Sequence, residues 1–385
     1  MKHCLHHHQP LPSSTGLSRR EFLKSIGALA AGLTLAGCGV EPAPVISKTD
    51  TGTTPRSDLA YPGLSPVVAI AKAATYDRHL IREQMEILLD SIGGVQDVLA
   101  HGNRVAIKTN LTGGIQSGKL PGILETESFL THPEVVRAVA ELLRDAGANQ
   151  IYIVEAVYEK ESWPYYGYES MAKEIGATLV DLNYAEPYPD FDKTSPGTQP
   201  LIYEEFSFNP ILNEIDAFVS ISKMKCHNTA GVTHTMKNLF GLVPYRFYEI
   251  NTGDRYRSAF HGPSSETRRR LPKVIMDLNR ARPVNLSIID GVLTTEAGEG
   301  PWIPAMGPIK PGLLMAGKNP VATDAVATAA MGFDPTADFP DEPFLHANNH
   351  LNIAVELGLG TNRLDEIQVV GEKLSEVTRA FKPSF

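Results

Sequence analysis

Between Ser222 and Gly241 the chain reads SKMKCHNTAGVTHTMKNLFG. These twenty residues hold three lysines, two histidines, two asparagines and three threonines, and no acid. The whole chain carries a formal net charge of -9, so the stretch runs against its composition. Ammonium groups gathered at one place attract an anion. An imidazole among them titrates near neutral pH and can move a proton or bind a metal. Lys223, Lys225 and Lys237 are the candidate anion ligands, with Asn238 beside them. His227 is the candidate general acid or base, and His234, three residues before Lys237, is expected to share a helix face with it.

The apolar run Asp216–Ser222 leads into this stretch and reads as a strand. In an open parallel α/β sheet, ligands lie beyond the carboxyl ends of the strands. The stretch stands at such an end and then turns helical near Thr233. A second strand candidate, 104–108, ends in Lys108-Thr109-Asn110 before the glycine pair Gly113-Gly114. Lys108 and Asn110 are therefore expected on a second wall of the same site. Neither loop carries the G-x-x-x-x-G-K-[ST] phosphate loop or a dinucleotide fingerprint. A third apolar strand ends at Asp290-Gly291, with Glu296 and Glu299 just beyond. A carboxylate there can act as a base or hold a metal, and Asp290 is the second catalytic candidate. His261 ends a basic, tyrosine-rich excursion that starts near Tyr245. Cys226 lies beside Lys225 and His227 but has no identifiable triad.

Apolar periodicity supplies the elements that would position these groups. Strand-length runs occur at 67–71, 104–108, 150–155, 178–181, 216–222, 285–290, 312–316 and 367–370. Helical spacing occurs at 78–92, after Thr131, at 171–175, from Asn319 to Met331 and near 346–357. Thr131-His-Pro-Glu134 has the form of a capping box. Alternating strands and helices predict an α/β fold, a mainly parallel sheet flanked by helices, with room for two lobes.

The amino-terminal residues predict an address and not a fold. Ser18-Arg19-Arg20-Glu21-Phe22-Leu23-Lys24 precedes a short apolar run and resembles a twin-arginine export signal. The run is shorter than the ~20 residues that span a bilayer. Leu35-Ala36-Gly37-Cys38 resembles a lipobox, with Cys38 the lipidated first residue of the mature chain. Residues 1–37 are thus expected to be a signal peptide, 38–66 a Pro/Thr/Gly/Ser-rich tether, and 67–385 the α/β domain. The expected partners are the twin-arginine translocon, the membrane through Cys38 and a small anionic ligand, with an envelope redox partner as an alternative. The expected location is the cell envelope. Lys2, Arg19, Arg20 and Lys24 against Glu21 give the leader +3, so the mature chain stands at -9 - 3 = -12, which argues against nucleic acid. The histidines at 3, 6, 7 and 8 leave with the leader. Only Cys38 and Cys226 remain, too few for a cysteine-ligated iron–sulfur cluster.

Several segments together resemble the family named domain of unknown function 362. They are 105–110 (VAIKTN), 131–136 (THPEVV), 223–227 (KMKCH), 236–241 (MKNLFG), 289–291 (IDG) and 316–325 (AGKNPVATDA). Many members of that family carry an added ferredoxin-type domain, which this chain lacks the cysteines to build. The segments 131–155 and 216–243 are also similar to the N-terminal domain of nickel-pincer lactate racemase. There a histidine is followed ten residues later by a lysine that holds a nicotinate-derived cofactor. That resemblance implies cofactor binding at Lys237, proton transfer at His227 and metal binding at His261. The chain departs from it at Val154-Glu155-Ala156, where that enzyme has a catalytic histidine. A metal or a covalently held nucleotide-derived group are the cofactor alternatives it leaves open. Three classes of function fit: an isomerase- or redox-type enzyme of a small organic acid, a non-catalytic anion- or metal-binding protein, and an accessory to a redox complex.

Overall fold

Eight strands make the central sheet of the structure, a computed structural model that describes residues 66–385. In chain order the main elements are β1 (Val67–Lys72), α1 (Arg78–Ser91), β2 (Arg104–Lys108), α2 (Pro133–Asp145), β3 (Gln150–Glu155), α3 (Tyr168–Ile175) and β4 (Thr178–Asp181). They continue as β5 (Ala217–Lys223), α4 (Ser264–Ala281), β6 (Leu286–Gly291), β7 (Leu313–Gly317), α5 (Pro320–Ala330), α6 (His350–Glu356) and β8 (Gln368–Gly371). The sheet order is β8-β1-β7-β6-β5-β2-β3-β4. Only β7 runs against its neighbours, pairing antiparallel with β1 and β6. The other pairings are parallel.

The central strands are apolar on both faces because both are covered, as parallel sheets require. Alternate residues divide between two cores. Val68, Ile70, Phe218, Ile289 and Met315 face one core with α4 and α5. Ala69, Ala71, Ile107, Ile153, Val219 and Ile288 face the other with α1 and α2. The described residues form one compact unit around this sheet, so the two lobes that the sequence left room for are not found among them. The signal, the lipobox with Cys38 and all of the tether except Pro66 lie outside the described residues.

The topology fixes where a ligand can sit. After β2 the chain builds β3 and β4 on one side, then returns to lay β5, β6 and β7 on the other. The two halves part between β2 and β5. At such a switch point the loops after adjacent strands turn away from each other and leave a crevice. Lys108 ends β2 and Lys223 ends β5, so the basic stretch opens beside that crevice.

Two local expectations change. The cap of α2 is His132, whose Nδ1 accepts from Glu134 N at 3.2 Å, and not Thr131. The Thr131 hydroxyl instead ties two strand ends together, accepting from Asn110 N (3.0 Å) and donating to Ile221 O (3.1 Å). The long helix α4 has no counterpart in the sequence reading. Arg268-Arg269-Arg270 and an internal Pro272 mask its apolar stripe of Leu271, Val274, Ile275 and Leu278.

Candidate functional site

A cavity of about 500 Å³ opens at the carboxyl ends of β2, β3 and β5. From the sequence-derived set it gathers Lys108, Asn110, Lys225, His227, Lys237, Asn238 and His261. Gly113 of the glycine loop also lines it, with the indole of Trp302 close by. Glu155, Arg257 and Glu299 complete its charged lining. Four cationic side chains (Lys108, Lys225, Lys237 and Arg257) therefore face two carboxylates, an excess of 4 - 2 = 2 positive charges when all are ionised.

The floor is a buried polar cluster. Lys108 Nζ lies 2.8 Å from Glu155 Oε1 and donates to Thr109 O at 2.6 Å and Asn238 Oδ1 at 3.3 Å. Asn110 Nδ2 donates to the same Asn238 oxygen at 3.0 Å. The other Glu155 oxygen accepts from Leu111 N at 2.9 Å. Gly241 lets this pair lie against bare backbone, since a Cβ there would stand 2.0 Å from Glu155 Oε1 and 2.6 Å from Lys108 Nζ.

The remaining cations differ in how they are held. Lys225 Nζ donates to Phe129 O at 2.6 Å and Glu299 O at 3.0 Å. Burial depresses its ammonium to about 7, with Glu299 opposing and Lys223 and Lys237 adding to the fall. Lys237 Nζ sits 3.6 Å from the centroid of the Phe240 ring. Among the described residues no acceptor reaches it. Burial brings it too to about 7, against the pull of Glu299 and with the push of Arg257 and Lys108. Arg257, in the left-handed region at φ 59, commits Nε and Nη2 to Val243 O and Ala156 O. Its Nη1 has no acceptor among the described residues, and burial lowers the guanidinium.

Burial favours the neutral form of the two cavity imidazoles. His227 Nδ1 accepts from Thr229 N (3.1 Å) and Ala230 N (3.2 Å). A nitrogen that accepts has no proton, so the neutral ring carries its proton on Nε2. Burial holds His227 down at about 3, with Glu299 opposing. It is thus a hydrogen-bond donor to the cavity and not a ready base. His261 is lowered to about 4, by burial first and then by Lys237. Its ring neighbours are Phe240 and Tyr256, at 5.9 Å each. Among the described residues no three His, Cys, Asp or Glu side chains converge to hold a metal, so His261 lacks the companions of a protein-built metal centre. Burial raises the Glu299 carboxyl. His227, the N–H of Asn228 and the Trp302 indole outweigh this and bring it down to about 2. Asn228 N and Trp302 Nε1 each donate to it at 2.9 Å. Burial pushes the Cys226 thiol up to about 12, which leaves no thiolate to react.

Three sequence candidates lie outside the cavity lining. Lys223 and Asp290 pair at 2.9 Å with both side chains fully buried. Lys223 Nζ also donates to Thr126 O and Tyr76 Oη. Asp290 accepts from Tyr76 Oη and His132 N. Every strong group in that cluster has a partner, so Asp290 is a tie between loops and not an accessible base. His234 enters its short helix at φ 39 and points into the core, with Nε2 3.2 Å from Met331 Sδ. The expected face shared with Lys237 therefore does not form. Arg257 and Glu155 are cavity groups to which the sequence assigns no chemistry, and Glu299 enters there only as one of the carboxylates beyond Asp290. The signal for Arg257 was its place in the basic, aromatic excursion before His261.

The family model of the domain of unknown function (DUF362) matches residues 105–329, a span that contains every residue lining this cavity. The chain belongs to this family. A thylakoid-associated protein of Synechocystis sp. is 26% identical over 320 residues, covering 80% of this chain and 88% of the relative. In this DUF362 chain no helix among the described residues is long and apolar enough to cross a membrane.

Proposed function

We propose that the cavity binds a small organic acid and that the protein is an enzyme of isomerase or redox type acting on it. The observation that carries this reading is the pair Lys237 and Arg257. Each presents nitrogen to the cavity without a protein acceptor among the described residues, and His227 adds a neutral donor on the same lining. Buried cations that outnumber the carboxylates around them are costly, and a ligand carboxylate reduces that cost. A charge-assisted hydrogen bond is worth about 1.5–3 kcal/mol. Lys237→Met should then weaken a small organic acid about tenfold to a hundredfold. Titration calorimetry of wild type and variant with lactate, malate and oxalate measures this. Equal affinities in both proteins would remove the reading. A protein that binds but never turns over its acid would be the non-catalytic binding protein instead, and co-purification with a redox complex would favour the accessory role.

We further propose export through the twin-arginine route and anchoring through a lipid on Cys38. The Arg19-Arg20 and Leu35–Cys38 motifs support this, and the thylakoid association of the Synechocystis relative accords with a membrane location. Cys38→Ala should move the protein from the membrane fraction to the soluble envelope fraction. Unchanged fractionation would defeat the anchor.

A further inference from the structure

The basic stretch and the adjoining strand end bring four lysines to this end of the sheet, and their acceptors set one apart. Lys108 is held by Glu155, Thr109 O and Asn238. Lys223 is held by Asp290, Thr126 O and Tyr76. Lys225 is held by two main-chain carbonyls. Each of these nitrogens already has two or more protein acceptors. Lys237 alone among them has no acceptor in the described residues. It rests on an aromatic face inside the cavity, where no carboxylate lies within ion-pair distance of it.

We propose that Lys237 is a nucleophile that captures the carbonyl carbon of a small oxo acid as an imine. The inference rests on the anion-binding reading above and narrows its substrate class. The free amine supplies the electron pair for a new N–C bond to the substrate carbonyl. The carbonyl oxygen takes up the two hydrogens that leave nitrogen and departs as water, so a neutral amine and a ketone give a neutral imine and water, with no oxidant or reductant. Arg257 Nη1 and His227 Nε2–H are the donors that can meet the oxygen as charge develops on it, and the substrate carboxylate answers the remaining cationic charge. A lysine in an apolar seat beside other cations reacts as the uncharged amine, because its neighbours disfavour the ammonium. The low position of the Lys237 ammonium accords with this.

The test is reductive trapping. The full chain is incubated with pyruvate or 2-oxoglutarate and cyanoborohydride, digested, and its adducts mapped by mass spectrometry. The expected result is one saturable adduct on Lys237, suppressed by excess oxalate, which has carboxylates but no ketone. Lys237→Arg keeps the charge and should retain oxalate binding while losing the adduct. Lys193→Met, at an exposed lysine outside the cavity lining, serves as a second variant and should keep the adduct. Labelling spread evenly over surface lysines, or unchanged in Lys237→Arg, would overturn the proposal. Oxalate binding to wild type without any Lys237 adduct would overturn the imine and leave anion binding standing. A Lys237 adduct that oxalate does not suppress, with no oxalate binding, would uphold the nucleophile and remove the anion-binding reading.

Discussion

Lys223 and Lys237 open and nearly close the same basic stretch, yet they occupy opposite kinds of surroundings. Lys223 is wholly buried and answered on every side by a carboxylate, a phenol and a carbonyl. Lys237 is almost as buried, and only an aromatic face answers it. One lysine fastens loops together; the other keeps a nitrogen uncommitted. Burial of a charge therefore does not identify function. What distinguishes a working group from a tie is whether its neighbours have already satisfied it.

The same substitution at the two positions should have opposite effects on stability. Lys223→Met leaves the Asp290 carboxylate buried without its cation, which should destabilise the fold by about 3–5 kcal/mol. Chemical denaturation at neutral pH checks it, and a loss within error of zero would mean that the cluster tolerates its own disruption. Lys237→Met should act in the other direction. Its folded value, about 7, lies below the unfolded lysine value near 10.4. The cost of burying the ammonium is fully present below pH 7 and is relieved as pH rises from about 7 towards 10.4. The variant should therefore be more stable than wild type by on the order of 2–4 kcal/mol at pH 6, less what the Phe240 ring contributes to the cation. That gain should shrink towards pH 10. A destabilised variant at pH 6 would place Lys237 among the ties.

The smallest expected effect concerns the two lysines that line the cavity near neutrality. A bound carboxylate favours the ammonium forms of Lys225 and Lys237, so binding takes up protons when the free protein has lost them. Affinity for oxalate should be highest below about pH 7 and fall as pH rises through that value, by at most about tenfold per pH unit for each lysine involved. Calorimetry in buffers of different ionisation enthalpy counts the protons. An affinity flat from pH 6 to 9 would mean that neither lysine meets the anion.

The sheet was legible because strand signals here are local. The runs 104–108, 150–155 and 178–181 form strands with those same limits. Each is short, apolar and bounded by residues that break the pattern. Helix α4 was not legible, because its arginines and Pro272 disturb the periodicity while tertiary packing still buries its apolar side. In the site, Lys225, His227 and Lys237 could be found because the chain delivers them directly from a strand end. His234 misled because helical spacing presumes helical backbone, and its positive φ turns the side chain inward. Arg257 and Glu299 reach the cavity on long connections whose path no periodicity encodes. The set of acceptors that separates Lys223 from Lys237 depends on Tyr76, Thr126 and Asp290, which are far from them in sequence.

Asp324 on α5 accepts from Thr235 N and Met236 N at 2.9 Å each, and Asn279 on α4 donates to Met236 O at 3.0 Å. The turn that bears Lys237 is thereby bolted to two helices. The excursion from Tyr245 to His261 supplies Tyr256, Arg257 and His261 to the cavity and is seated in the core through Tyr248 and Phe260. Phe260 and His261 both pack on the ring of Phe240, at 5.0 and 5.9 Å, and that same ring carries Lys237. The Phe240 ring is thus a keystone between the turn and the loop facing it, so a change in the loop is felt at the lysine.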